Sequence, residues 1–136
     1  MNSTQHLIQQ YYDYFNKKDM SQFLILLHDD IIHNINQGGT EIGKKQFTAF
    51  MERMNRCYQE TIRNLIVMTS SDGKHAACEF IVDGIYMATD SGLPPASQQH
   101  YSLLCGAFFE IKDNKIFRVT NYYNLNDWLR QISNHP

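Results

Sequence analysis

No Cys-x-x-Cys spacing occurs in this chain of 136 residues, and its three cysteines, Cys57, Cys78 and Cys105, lie far apart. That argues against a disulfide framework and a zinc cage, and leaves three reduced thiols in apolar surroundings. Concentrated positive charge is also missing. The formal net charge is -2 and the only basic doublets are Lys17-Lys18 and Lys44-Lys45, which sets nucleic acid aside as a partner. No apolar run approaches membrane-spanning length, and the N-terminal stretch MNSTQHLIQQYYDYF has neither a basic flank nor a cleavage pattern. The expectation is a cytoplasmic protein with no membrane partner. Glycine-rich phosphate loops, a nucleophile elbow and a dinucleotide fingerprint are absent, so no cofactor is expected. His28 and His33 with Asp29 and Asp30 straddle a helix-to-strand change at a spacing that fits no ligand motif, so no metal is expected either.

What is present is enough apolar residue, 43%, to build one core, and the length suits a single domain over residues 1–136. Leu7, Ile8, Tyr11, Tyr14 and Phe15 recur at helical spacing and predict a helix over residues 3–16. Asp19 followed by Gln22 resembles a capping box for a second short helix reaching about His28. Residues 31–36 read as a strand that stops at Gln37-Gly38-Gly39, with a short extended piece at 40–42. Gly43 opens a third helix with the face Phe47, Phe50, Met51, Met54 and Tyr58. Four strand-like runs follow, at 61–69, 76–88, 101–111 and 116–123. Helices first and a strand meander after predict an α+β domain. The double-proline connection at 89–99 exceeds a hairpin loop and reads as a structural arm or a lid.

The stretch KIFRVTNYYNLNDWLRQI, from Lys115 to Ile132, ends a strand in a capped amphipathic helix. Asn124 followed by Asp127 marks the helix start, and Leu125, Trp128, Leu129 and Ile132 form its apolar stripe. Along the strand, Val119, Asn121 and Tyr123 share one face. This ending resembles that of the SnoaL-like and ketosteroid-isomerase-like proteins of the nuclear transport factor two-like superfamily. Tyr11 through Asn16 with Lys18-Asp19, Leu27-His28-Asp29-Asp30, and the stretches GAFFEI, RVTNYYNL and GLPPA carry the same likeness over almost the full length.

The resemblance implies a cone: a curved antiparallel sheet wrapped around three N-terminal helices, with a short C-terminal helix and an apolar pocket open at one end. It also implies a homodimer through the outer sheet face, where parity puts Ala77, Ile81, Ile85, Met87, Leu104 and Phe108. For the pocket it implies walls of Phe80, Val82, Tyr86, Tyr101 and Tyr123, binding a small apolar molecule that bears oxygen. Its chemistry transfers selectively. Tyr11 matches the tyrosine of ketosteroid isomerase, whereas the base position falls beside Ile35 and the second acid near Ala107. Asn121 stands where SnoaL-type cyclases carry an aspartate, and a carboxamide orients a substrate without serving as its acid.

His33 shares parity with Ile35 and is the remaining proton-transfer group. The candidate catalytic set is therefore Tyr11, His33 and Asn121, for isomerisation, dehydration or cyclisation. The alternative is a non-catalytic ligand-binding or dimerisation module. Glu79 faces outward by parity and is expected to pair with Arg63 or Arg118. Cys105 reads as a core thiol.

Overall fold

A computed structural model describes residues 2–133. The chain forms α1 (Ser3–Lys17), α2 (Met20–Ile25), β1 (Leu27–Asn34), β2 (Thr40–Ile42), α3 (Lys44–Cys57), β3 (Tyr58–Thr69), β4 (His75–Tyr86), β5 (Gln99–Lys112), β6 (Lys115–Tyr122) and α4 (Leu125–Ser133). The six strands make one open, curved sheet in the order β2-β1-β6-β5-β4-β3. The expected α+β cone is the observed architecture. One pairing departs from the expected antiparallel meander, since β1 runs parallel to β6, with His33 opposite Val119. The sheet is therefore mixed.

Local chemistry explains the element ends. The Asn2 side chain accepts from Gln5 N–H at the start of α1, and Lys18 closes the helix in the left-handed region at φ 58. Asp19 caps α2 as its spacing predicts, accepting from Gln22 N–H. That helix stops at Ile25, short of the expected His28, because β6 claims the next residues. Ile116 N–H donates to Leu26 C=O, and Lys115 Nζ donates to Ile25 C=O. β1 consequently begins at Leu27, four residues before the expected strand. Asp113 and Asn114, both at positive φ (54 and 58), close the tight β5–β6 hairpin as two-residue turns require. Asn124 Oδ1 accepts from Asp127 N–H and caps α4.

The inward faces of β4 and β5 alternate with exposed positions along their length, as a half-buried sheet should. Ile8, Tyr11 and Tyr12 of α1 lie against Phe23, Phe80 and Phe109. Burying each such side chain contributes roughly 1.5–3 kcal/mol. Asn16 fastens α1 to the sheet: its Nδ2 donates to Ile62 C=O at 2.9 Å and its Oδ1 accepts from Ile62 N–H at 2.8 Å. Just beyond, the β3–β4 register shifts between Arg63 and Ile66, with Asn64 at φ 56. This bulge bends the strand at the point where α1 docks.

Outside the sheet, the polar pairs differ from expectation. Arg63 binds Asp83 and Arg118 binds Glu110, so Glu79 pairs with neither arginine. In the register Glu79 sits between Ile66 and Gly106, which bring no charge to it.

Candidate active site

Between the concave sheet and helices α1, α3 and α4 lies a cavity of about 450 Å³, within the range of ligand pockets. Tyr11 from α1, His33 from β1 and Asn121 from β6 all line it, as do Phe80, Val82 and Tyr123. Neither the Tyr11 hydroxyl nor the Asn121 carboxamide is hydrogen-bonded to any described residue, so both are available to a ligand. Burial pushes the Tyr11 phenol well above its ordinary value, which keeps it a neutral hydrogen-bond donor.

Two expected wall residues stand behind the wall. Tyr86 is fully buried, donates to Pro94 C=O at 2.7 Å and accepts from Asp90 N–H at 2.9 Å. It anchors the connection at residues 89–99 and does not line the cavity. Gln99 ties the same segment to Pro95 C=O and Ile132 C=O, and Tyr58 OH donates to Asp90 at 2.8 Å. The segment is built as a structural arm, and Asp90, Ser91 and Leu93 form one side of the cavity. Tyr101 also sits behind the wall, its ring laid flat over Gly84 and its hydroxyl turned to Glu60.

Glu60 is the site residue that reading by spacing missed. It lies on β3 between Tyr58 and Ile62, and all three line the cavity. Tyr101 OH donates to Glu60 Oε2 at 2.5 Å, and no other hydrogen bond reaches this side chain from the described residues. Burial raises the carboxyl's proton affinity above the ordinary value. The bond from Tyr101 and the charge of Lys18 oppose that rise and do not cancel it. Lys18 Nζ donates to Glu60 backbone C=O at 2.5 Å, and its own ammonium is lowered by burial. The sequence did hold a signal, since Tyr58, Glu60 and Ile62 alternate at strand parity. Tyr58 also continues the helical spacing of Met54, and that rival reading placed the strand start after Glu60.

His33 is 2% exposed, with its ring against Phe47 and Phe50 at centroid distances of 4.8 and 4.6 Å. Desolvation lowers its proton affinity more than the neighbouring Glu41 raises it. Glu60 and His33 therefore move in opposite senses, the acid toward its protonated form and the imidazole toward its neutral form. Such divergence sorts a pair of titratable groups into acid and base. β1 and β3 are four strands apart in the sheet, and its curvature brings both groups to one cavity.

Cys105 lines the same wall with its thiol pushed up to about 12 by burial, too high for a nucleophile at neutral pH. Among the described residues no cluster of three or more His, Cys, Asp or Glu is placed to hold a metal. No described helix is long and apolar enough to cross a membrane.

Fold and cavity together define an α+β protein whose curved sheet and helices enclose a cavity. A family model for the SnoaL-like domain matches residues 8–119, and the chain belongs to that family. A solved structure from Pseudomonas putida KT2440, provisionally assigned as a polyketide cyclase, is similar at 53% identity and TM-score 0.95, over 97% of this chain and 99% of that one. A second with the same provisional assignment, from Xanthomonas campestris, is 43% identical with TM-score 0.93 over 96% of each chain. An LEH-like epoxide hydrolase from M. tuberculosis, at 14% identity and TM-score 0.72 over 96% of this chain and 90% of that one, shares the fold alone. No curated protein matches the chain significantly.

Proposed function

We propose that the cavity binds a small, largely apolar molecule bearing a carbonyl or similar oxygen and catalyses a proton transfer on it, of the isomerisation, dehydration or cyclisation type. The observation that carries this reading is Glu60, a carboxyl group of raised proton affinity in an aromatic and aliphatic cavity that also holds an imidazole of lowered affinity. His33 takes a proton from the carbon beside the carbonyl, while Glu60 gives its proton to the carbonyl oxygen. The product is a neutral enol; the His33 imidazolium then gives its proton to a different carbon while the enol hydroxyl returns its proton to Glu60, which completes an isomerisation. Asn121 and Tyr11 hold the oxygen by hydrogen bonds. This division differs from the earlier set of Tyr11, His33 and Asn121 by giving the acid role to Glu60. The provisional cyclase assignment of the Pseudomonas putida relative supports the same class of chemistry.

Solvent deuterium exchange tests it. A panel of cyclic ketones and enones in heavy water should show enzyme-dependent deuterium at the carbon next to the carbonyl, reduced at least a hundredfold in His33→Ala and in Glu60→Gln. Exchange that persists in both variants, or none with any compound that binds, would reject the proposal.

We further propose a homodimer through the outer sheet face. Ile66, Met68, Leu104, Phe108 and Tyr122 are each about half exposed or more there, and Met68, Ala77, Phe108 and Thr120 form one row across four strands. The exposed apolar side chains on this face support association with a second copy. Leu104→Glu should convert a dimer to a monomer in sedimentation, and a wild-type monomer would refute it.

A further inference from the structure

We infer that Glu41 is a positioning residue for His33, fixing which ring nitrogen presents a lone pair to the cavity. This rests on the reading of His33 as the base. The two residues face each other across the β1–β2 pairing. Nδ1 of His33 and Oε1 of Glu41 are 3.6 Å apart, and both atoms are buried with no other hydrogen-bond partner. Two orphaned, complementary groups in a desolvated place are each other's only remedy. The separation exceeds a hydrogen bond by a few tenths of an ångström. β2 is a three-residue edge strand reached through the Gln37-Gly38-Gly39 turn, so closing that gap disturbs little else.

The rest of the setting leaves His33 no other choice. Phe47 and Phe50 of α3 hold the ring, and its β6 neighbour in the register is Val119; none of the three titrates. The remaining charged groups on the cavity are Lys18, Arg53, Glu60 and Asp90, all on other elements. With Nδ1–H donated to Glu41, the lone pair must sit on Nε2, the nitrogen left for a substrate. Without Glu41 either nitrogen would hold the proton, and much of the population would be the wrong tautomer for a base.

Nitrogen-detected NMR of the histidine-labelled full chain tests this without a substrate, with His33 assigned by its loss in His33→Gln. The wild type should carry its proton on Nδ1. Glu41→Ala should give a mixture of tautomers and a roughly tenfold lower proton affinity. Glu41→Gln should keep the tautomer, through its amide oxygen, while showing the same fall in affinity. A wild-type proton on Nε2 would overturn the inference, as would Glu41→Ala leaving tautomer and affinity unchanged. Glu41 is on the edge strand and partly exposed, so the variants should fold, and the same spectra verify it. The expected tautomers without deuterium exchange in the ketone panel would remove only the catalytic reading. Exchange by a protein whose His33 ignores Glu41 would remove only this inference.

Discussion

Adding one methyl group at Gly84 should push Tyr101 away from Glu60. A Cβ there would sit 2.1 Å from Cζ of Tyr101 and 2.4 Å from both Cε2 and the hydroxyl oxygen. Carbon contacts need about 3.5 Å, so a rigid ring must move by about 1.4 Å in a packed interior. Overpacking of that kind costs about 1–3 kcal/mol. The displacement also breaks the bond from Tyr101 to Glu60, a further loss of about 0.5–1.5 kcal/mol. Glycine to alanine in a strand with ordinary φ would otherwise stabilise by about 0.5–1 kcal/mol, so the sign of the effect is itself informative. The expected net loss is about 0.5–4 kcal/mol, or a fall in melting temperature of roughly 2–16 °C for a chain of this size. Thermal unfolding of Gly84→Ala in the wild-type and Tyr101→Ala backgrounds reads the coupling directly. The substitution should be harmful in the first and neutral or favourable in the second. Equal losses in both, or a stabilised single variant, would refute the close approach of Tyr101 to residue 84.

Other consequences are simpler. Asn16→Ala removes both hydrogen bonds that join α1 to Ile62 and should cost about 1–3 kcal/mol in urea unfolding; no measurable loss would mean that the clamp is idle. Tyr86→Phe removes the bonds to Pro94 and Asp90 and should speed amide exchange across residues 89–99 without altering that of α1; unchanged exchange there would leave the arm's anchor elsewhere. For Glu60, the folded state holds the proton more tightly than the unfolded chain does. Stability therefore falls as pH rises past 4.5, where the unfolded chain ionises, and levels off once the folded carboxyl has ionised. Glu60→Gln should flatten that part of the stability profile, and an unaltered profile would count against the shift.

Helix faces and strand parity were readable because burial imposes their periods directly. Ile8 and Tyr11 mark the buried side of α1, and the alternation from Ala76 onward marks that of β4. The cap at Asn124 and the Asp113-Asn114 turn were equally local. Parity alone did not separate a residue facing inward from one lining the cavity. Tyr86 and Tyr101 point inward, yet the arm and Gly84 take them up first. The parallel β1–β6 contact joins segments far apart in the chain, and no local pattern announces it. Glu60 was hidden by the change from helix to strand at Cys57 and Tyr58, which has no glycine or proline to mark it. Glu41 was hidden by register, since only the pairing of β2 with β1 brings it to His33.

The account stands on a carboxyl group whose proton affinity is raised by burial beside the cavity. Infrared titration of the carboxyl band, with Glu60→Gln subtracted, measures that group alone. We predict a protonated carboxyl that persists above pH 4.5 in the folded protein; a Glu60 signal ionising at or below that value would contradict the assignment of the acid.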